Sequence, residues 1–204
     1  MPRVLAAQHR PVIVAATIRL MAREGVAAAS TRRIAAEAGV AQATIHYVFG
    51  TKTELYRAVL EAASANLVRA VQGGLAPHPH WTEDAAVAAR AAWDLAETDA
   101  STALLLVELT TYALRHPDLR DLAVGLYDSY HRLAEDAIGT LLDRSEYSPE
   151  DLRVPLDETA RLAVAGFNGV VMSFLVHGDR ERSRRDLQNL VDGLVAITVG
   201  PAAT

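Results

Sequence analysis

Apolar residues recur every three or four positions along almost the whole of this chain. Nowhere do Val, Ile or Thr alternate with polar residues between tight turns. That period calls for helices and leaves no material for a sheet, so the expected fold is all-α. Glycines and prolines divide the pattern. Pro11 suits the first turn of a helix, where a missing N–H costs nothing. Val12, Ala15, Ala16, Ile18, Leu20 and Met21 then offer one apolar face as far as Gly25, a natural stop.

Two short helices come next. Ser30 is the expected N-cap of a helix through Ile34, Ala35 and Ala38, which Gly39 ends after about two turns. Val40 and Ala41 make a short corner, and a third helix runs from Gln42 to Phe49, closed by Gly50. Thr51-Lys52-Thr53-Glu54 has the spacing of a capping box, in which each end residue satisfies the other's backbone N–H. It opens a long helix carrying Leu55, Val59, Ala62, Ala63 and Leu67 and stopping at Gly73-Gly74. Ala76-Pro77-His78-Pro79-His80 cannot continue a helix and reads as a linker. Further helices are expected near 82–98, 101–115, 118–143, 155–177 and 183–199, about nine in all. In the longest, Leu119, Leu122, Leu126, Tyr130, Leu133, Ala137 and Leu141 form a continuous stripe.

The charge is unevenly placed. Over 204 residues the net is −5, yet residues 1–60 hold eight basic side chains against three acidic ones, a net of +5. The remainder holds twelve against twenty-two, a net of −10. A basic head on an acidic body turns that head toward a polyanion. Half the residues are hydrophobic, so a substantial core is available, and without cysteines neither a disulfide framework nor a thiolate zinc site can form. The opening MPRVLAAQHR lacks the apolar stretch of a signal peptide, which suggests a cytoplasmic protein. The longest uncharged run, the 15 residues Leu162–Val176, falls short of the roughly 20 that a spanning helix needs. It reads as a buried core helix.

Two short helices joined by a tight glycine-bearing corner on a basic head describe a helix-turn-helix, whose second helix enters the major groove of DNA. Ile45 and Phe49, four apart, would anchor that helix inward while its other face reads DNA. Over about residues 10–60 the sequence resembles the tetracycline-repressor (TetR) family. The likeness runs through Ile34-Ala35, Ala38-Gly39-Val40, Thr44-Ile45, Tyr47, Phe49, Lys52 and Leu55, in that order.

The resemblance implies a three-helix DNA-binding domain at 1–55 and a ligand-binding and dimerisation domain at 56–204. It implies phosphate contacts from Thr31, Thr44 and Lys52, and a base or phosphate contact from Arg32. His46 and Tyr47 stand where the family puts aromatic groups on backbone and bases. Gln42 and Ala43 open the reading helix, the first able to pair with adenine and the second to touch a thymine methyl. Ala41 replaces the usual capping Ser, His46 stands where Tyr is commoner, and Val48 where His or Tyr is commoner.

The resemblance also implies a homodimer through the last two helices. Ala165, Gly169 and Ser173, with Gly166 beside them, would allow close helix approach, and Leu187, Leu190, Val191, Leu194, Val195 and Thr198 form a second stripe. The same stripes would serve equally to pack within one subunit. A small-molecule effector would bind among the central helices, where Trp93, Glu108, Tyr112, Tyr130, Phe167, Asn168 and Met172 set polar handles among apolar walls. Glu108, inside Leu104-Leu-Leu-Val-Glu-Leu109, needs a partner such as a cationic ligand or Arg115.

No phosphate loop, nucleophile elbow or cysteine nucleophile points to an enzyme, and no cofactor or metal is expected. His78 and His80 are the only close histidines, with Glu83 and Asp84 as the nearby acids. The function expected is a ligand-responsive transcriptional regulator, a repressor released from a palindromic operator. The alternative is a helical small-molecule-binding protein without DNA regulation.

Overall fold

The computed structural model describes residues 2–75 and 81–199. Among them every regular element is helical: α1 (Pro2–Glu24), α2 (Thr31–Ala38), α3 (Gln42–Phe49), α4 (Lys52–Gly74), α5 (Trp81–Thr98), α6 (Ala100–Arg115), α7 (Arg120–Leu142), α8 (Leu156–His177) and α9 (Arg180–Val199). Single 3-10 turns occupy Val26–Ala28, Pro117–Leu119 and Pro149–Asp151. The expected linker at 76–80, with its two histidines, lies outside the described residues.

Two expectations about α1 are corrected. The helix runs through Pro11 instead of starting there. Ala7 and Pro11 are both exposed, so the carbonyl that loses its amide partner can be solvated by water. The buried face is also turned by about one position: Ile13, Ala16, Thr17, Leu20 and Met21 point inward, whereas Val12 is 48 % exposed. The buried Thr17 hydroxyl donates to the carbonyl of Ile13 at 2.8 Å, which makes it acceptable in that face.

The chain forms two compact units. Residues 1–65 and 101–126 make one, and residues 66–100 and 127–204 the other. In the first, α1, α2 and α3 pack on one another, with Leu20, Ile34, Ile45 and Phe49 buried. Leu55, Tyr56 and Val59 of α4 and Leu105, Leu109 and Ala113 of α6 are buried in the same unit.

In the second unit α9 packs on α8 and α5. Trp93 is wholly buried, edge-on to Phe174 at 5.2 Å between centroids. Its Nε1 donates to Glu97 at 3.0 Å, and Arg184 donates to the same carboxylate at 2.9 and 3.1 Å, so this buried anion is fully met. Gly74 lies so close to α5 that a Cβ there would sit 2.7 Å from the Cα of Ala88.

Half of the α9 stripe is used inside the chain. Leu187 and Thr198 are buried, Thr198 lies 3.3 Å from the Thr159 hydroxyl, and Leu190 fills the space that Gly166 leaves open. The expectation that Leu162–Val176 is a buried core segment is corrected. Val171 and Phe174 are buried, but Leu162 (46 %), Met172 (42 %) and Val176 (67 %) are exposed, and so are Ala165 and Gly169. A helix packed on one side only turns the rest of its apolar surface outward. By length and composition alone α8 could cross a membrane.

Candidate nucleic-acid interface

The helix-turn-helix is set by local chemistry. Ser30 sits in extended backbone (φ −76°, ψ 151°) and its hydroxyl accepts from the Arg33 N–H at 3.3 Å, starting α2 as expected. Gly39 takes φ 67°, a left-handed conformation that lets the chain leave the helix within one residue, and the Val40 N–H closes back on the Ala35 carbonyl at 3.0 Å. Ala41 has N-cap geometry but no side chain to accept, so α3 begins uncapped.

Ile45 and Phe49 are buried, which fixes the other face of α3 outward. Gln42, Ala43, His46 and Tyr47 all lie on that exposed face, Tyr47 at 57 %, and Thr44 is half-buried at its flank. Thr31 is half-buried at the start of α2, and Arg32 and Lys52 are exposed. Among the described residues no group of His, Asp and Glu is arranged to hold a metal.

The charge of the head is partly committed. Arg23 bridges Glu24 and Glu37 at 3.0 Å each, Arg19 reaches Glu37 at 3.4 Å, and Arg33 pairs with Glu24. Hydrogen bonds from Arg33 and Arg23 hold the Glu24 carboxyl below the ordinary carboxylate range, and Arg23 does the same for Glu37. These three arginines therefore tie α1 to α2 and contribute less to the outward field than their number suggests. Arg32 and Lys52 have no ion-pair partner among the described residues, and Arg10 lies over the Phe49 ring at 5.0 Å. Arg10 entered the sequence argument only as a charge. Its stacking on Phe49 places that charge at the end of α3, which spacing along the chain could not reveal.

At the start of α4 the Thr51 hydroxyl accepts from the Glu54 N–H at 3.1 Å, one half of the expected box; the Glu54 carboxylate pairs with Arg57 at 3.5 Å. Lys52 Nζ lies 5.0 Å from the Tyr56 ring centroid and 5.9 Å from that of Tyr112. Tyr56 is wholly buried, its hydroxyl has no partner, and burial together with Tyr112 pushes its pKa up. Sequence reasoning missed Tyr56 because it stands one place off the apolar stripe.

The candidate ligand residues fall in both units. In the first, Glu108 Oε1 accepts from the Val26 N–H at 2.9 Å, a partner other than Arg115, and Tyr112 stacks on His116 at 3.9 Å. In the second, Trp93 is held as described above. Tyr130 is half-buried, 6.0 Å from Tyr127, and burial raises its pKa. Phe167 and Asn168 are half-buried, and Met172 is on the exposed side of α8.

Residues 13–59 match the model for bacterial regulatory proteins of the tetR family. Over those residues the chain carries a tetR-type head. Its solved relatives span nearly its whole length. The multidrug binding protein EbrR, solved with imidazole, is 28 % identical at a TM-score of 0.66, covering 93 % of each chain. A transcriptional regulator from Rhodococcus sp. Rha1 is 17 % identical at a TM-score of 0.75, covering 93 % of this chain and 97 % of its own. FadR from Bacillus subtilis, solved with stearoyl-CoA, is 15 % identical at 0.72, covering 91 % and 97 %. The last two share the fold alone. No curated protein sequence matches the chain. The match runs from the second half of α1 through the helix-turn-helix of α2 and α3 into the start of α4.

Proposed function

We propose that the protein is a cytoplasmic homodimeric repressor whose α3 helices read successive major grooves of a roughly palindromic operator, and that a small molecule releases it. The observation that carries this reading is the division of α3, with Ile45 and Phe49 inward and Gln42, Ala43, His46 and Tyr47 outward. Thr31, Arg32, Thr44 and Lys52 are the residues we assign to fixing the helix on the phosphates. We assign DNA reading to residues 1–55 and effector binding and dimerisation to 56–204, with no catalytic, cofactor or metal chemistry.

The exposed stripe Leu162, Ala165, Gly169, Met172 and Val176 steps by three and four along α8, which supports a helix-to-helix contact with a second copy. The two heads of such a dimer would sit about 34–36 Å apart to meet one face of the duplex. The effector would enter among the central helices, with Trp93, Glu108, Tyr112, Tyr130, Phe167, Asn168 and Met172 as the residues to test. The complexes of EbrR with imidazole and FadR with stearoyl-CoA support an effector without naming this one. Release requires an effector that binds better to a conformer with mis-spaced heads, since equal affinity for both shifts nothing.

The test begins with duplexes selected from a random pool by the purified protein, followed by binding at several salt concentrations. Wild type should bind a palindrome with strongly salt-dependent affinity. Lys52→Ala should flatten the salt slope by about 0.9 for each phosphate left without its ammonium, and Tyr47→Ala should weaken binding. Selection of no duplex would favour a helical small-molecule-binding protein instead.

A further inference from the structure

In the first compact unit, α6 meets the head at two points, one at the turn that leads into Thr31 and Arg32 and the other beside Lys52. Glu108 and Tyr112 stand four residues apart, one turn along the same face of α6. Glu108 Oε1 accepts from the Val26 N–H at 2.9 Å. Val26 follows Gly25 in the turn between α1 and α2, and its N–H makes no backbone hydrogen bond there. That turn leads through Ser30 into Thr31 and Arg32. Gly25 takes φ +84°, and a Cβ on it would lie 2.9 Å from the same Glu108 oxygen, so the carboxylate sits directly against the turn. One helical turn on, Tyr112 flanks Lys52. The ammonium is 5.9 Å from the Tyr112 centroid and 5.0 Å from that of Tyr56, the two rings meet edge-on at 6.1 Å, and His116 stacks behind Tyr112.

Packing alone does not require this arrangement. Leu105, Leu109 and Ala113 already bury the apolar side of α6. A carboxylate inside the run Leu104–Leu109 is useful there only to a donor, and the donor it meets is the turn amide. A lysine held over two rings has given up much of its rotamer freedom before any phosphate arrives.

Building on the DNA-binding reading, we propose that Glu108 and Tyr112 are positioning residues for operator binding. Glu108 fixes the turn that aims Thr31 and Arg32, and Tyr112 with Tyr56 aims Lys52, so that α6 presents both sets of phosphate contacts in register. The groups touch the reading head and not the DNA.

The experiment compares Glu108→Gln with Glu108→Ala, and Tyr112→Phe with Tyr112→Met, on the duplex selected by wild type. A glutamine oxygen still accepts from Val26, and a phenylalanine ring still faces Lys52. Glu108→Gln and Tyr112→Phe should therefore bind within about twofold of wild type, whereas Glu108→Ala should lose about tenfold or more. Tyr112→Met should flatten the salt slope by about 0.9 per subunit, a change that simple loss of stability would not produce. In the DNA-free protein, hydrogen exchange at the Val26 amide should quicken in Glu108→Ala only, and the ring-current shift of the Lys52 side-chain protons should shrink in Tyr112→Met. An unchanged salt slope in Tyr112→Met, or a Glu108→Gln as weak as Glu108→Ala, overturns the proposal while leaving DNA binding intact. Failure of wild type to select any duplex overturns both.

Discussion

Gly25 answers two demands with one residue. Its φ of +84° is costly for a side chain, and a Cβ there would lie only 2.9 Å from a Glu108 carboxylate oxygen. Gly25→Ala should destabilise the protein by about 1–3 kcal/mol, read as a lower denaturant midpoint. The ion network of the head makes a second prediction at this scale. Glu24 and Glu37 have folded pKa values below the ordinary 4.5, so their pairing stabilises the head above that pH and is lost as pH falls through the lowered values. Glu37→Gln should remove one contribution, and its stability should decline less steeply below pH 5 than that of wild type. Denaturant midpoints measured across pH would check it. The sequence shows Arg19 and Arg23 one turn apart and Glu37 in a later helix; that the three meet depends on how α1 lies against α2.

At the scale of elements, the boundaries of α2 and α3 were readable because Ser30, Gly39 and Gly50 act on their own neighbours. The missing cap of α3 was readable for the same reason. Ala41 already holds N-cap dihedrals (φ −68°, ψ 144°), so Ala41→Ser should add a cap and stabilise by about 1 kcal/mol, seen as a raised denaturant midpoint. Gly74 is different. Its sequence position marks a helix end, but in the structure it is also where α4 approaches the backbone of α5 at Ala88. Backbone yields less readily than a side-chain tip, and Gly74→Ala should cost about 1–3 kcal/mol in thermal or chemical unfolding. The turn of the buried face of α1 toward Ile13 was not readable. Val12 and Ile13 are equally apolar, and the packing of α2 and α3 selects between them.

For the whole molecule, the exposed stripe of α8 is the feature that most needs a partner. Met172→Glu places a charge in the middle of it. Sedimentation should then show a shift from dimer to monomer at concentrations where wild type is dimeric, with operator affinity falling because two linked heads bind far more tightly than one. A monomeric wild type would overturn the assignment of this surface. The sequence offered two apolar stripes, on α8 and on α9, and no means of ranking them as inner or outer. Leu190 against Gly166 and the buried Leu187 and Thr198 assign much of the α9 stripe to the interior.

By itself the sequence determined the helical class, the short helices at 31–38 and 42–49, their caps, and which face of α3 is left outward once Ile45 and Phe49 turn in. All of these follow from interactions within one or two turns of chain. Only the tertiary structure decided that Glu108 serves the α1–α2 turn, that Lys52 lies over Tyr56 and Tyr112, and that three arginines of the head are committed to Glu24 and Glu37. Most of those contacts join residues on different helices. Hydrophobic periodicity specifies which side of a helix is buried, but a carboxylate or an ammonium meets its partner only where the packed helices bring one within reach.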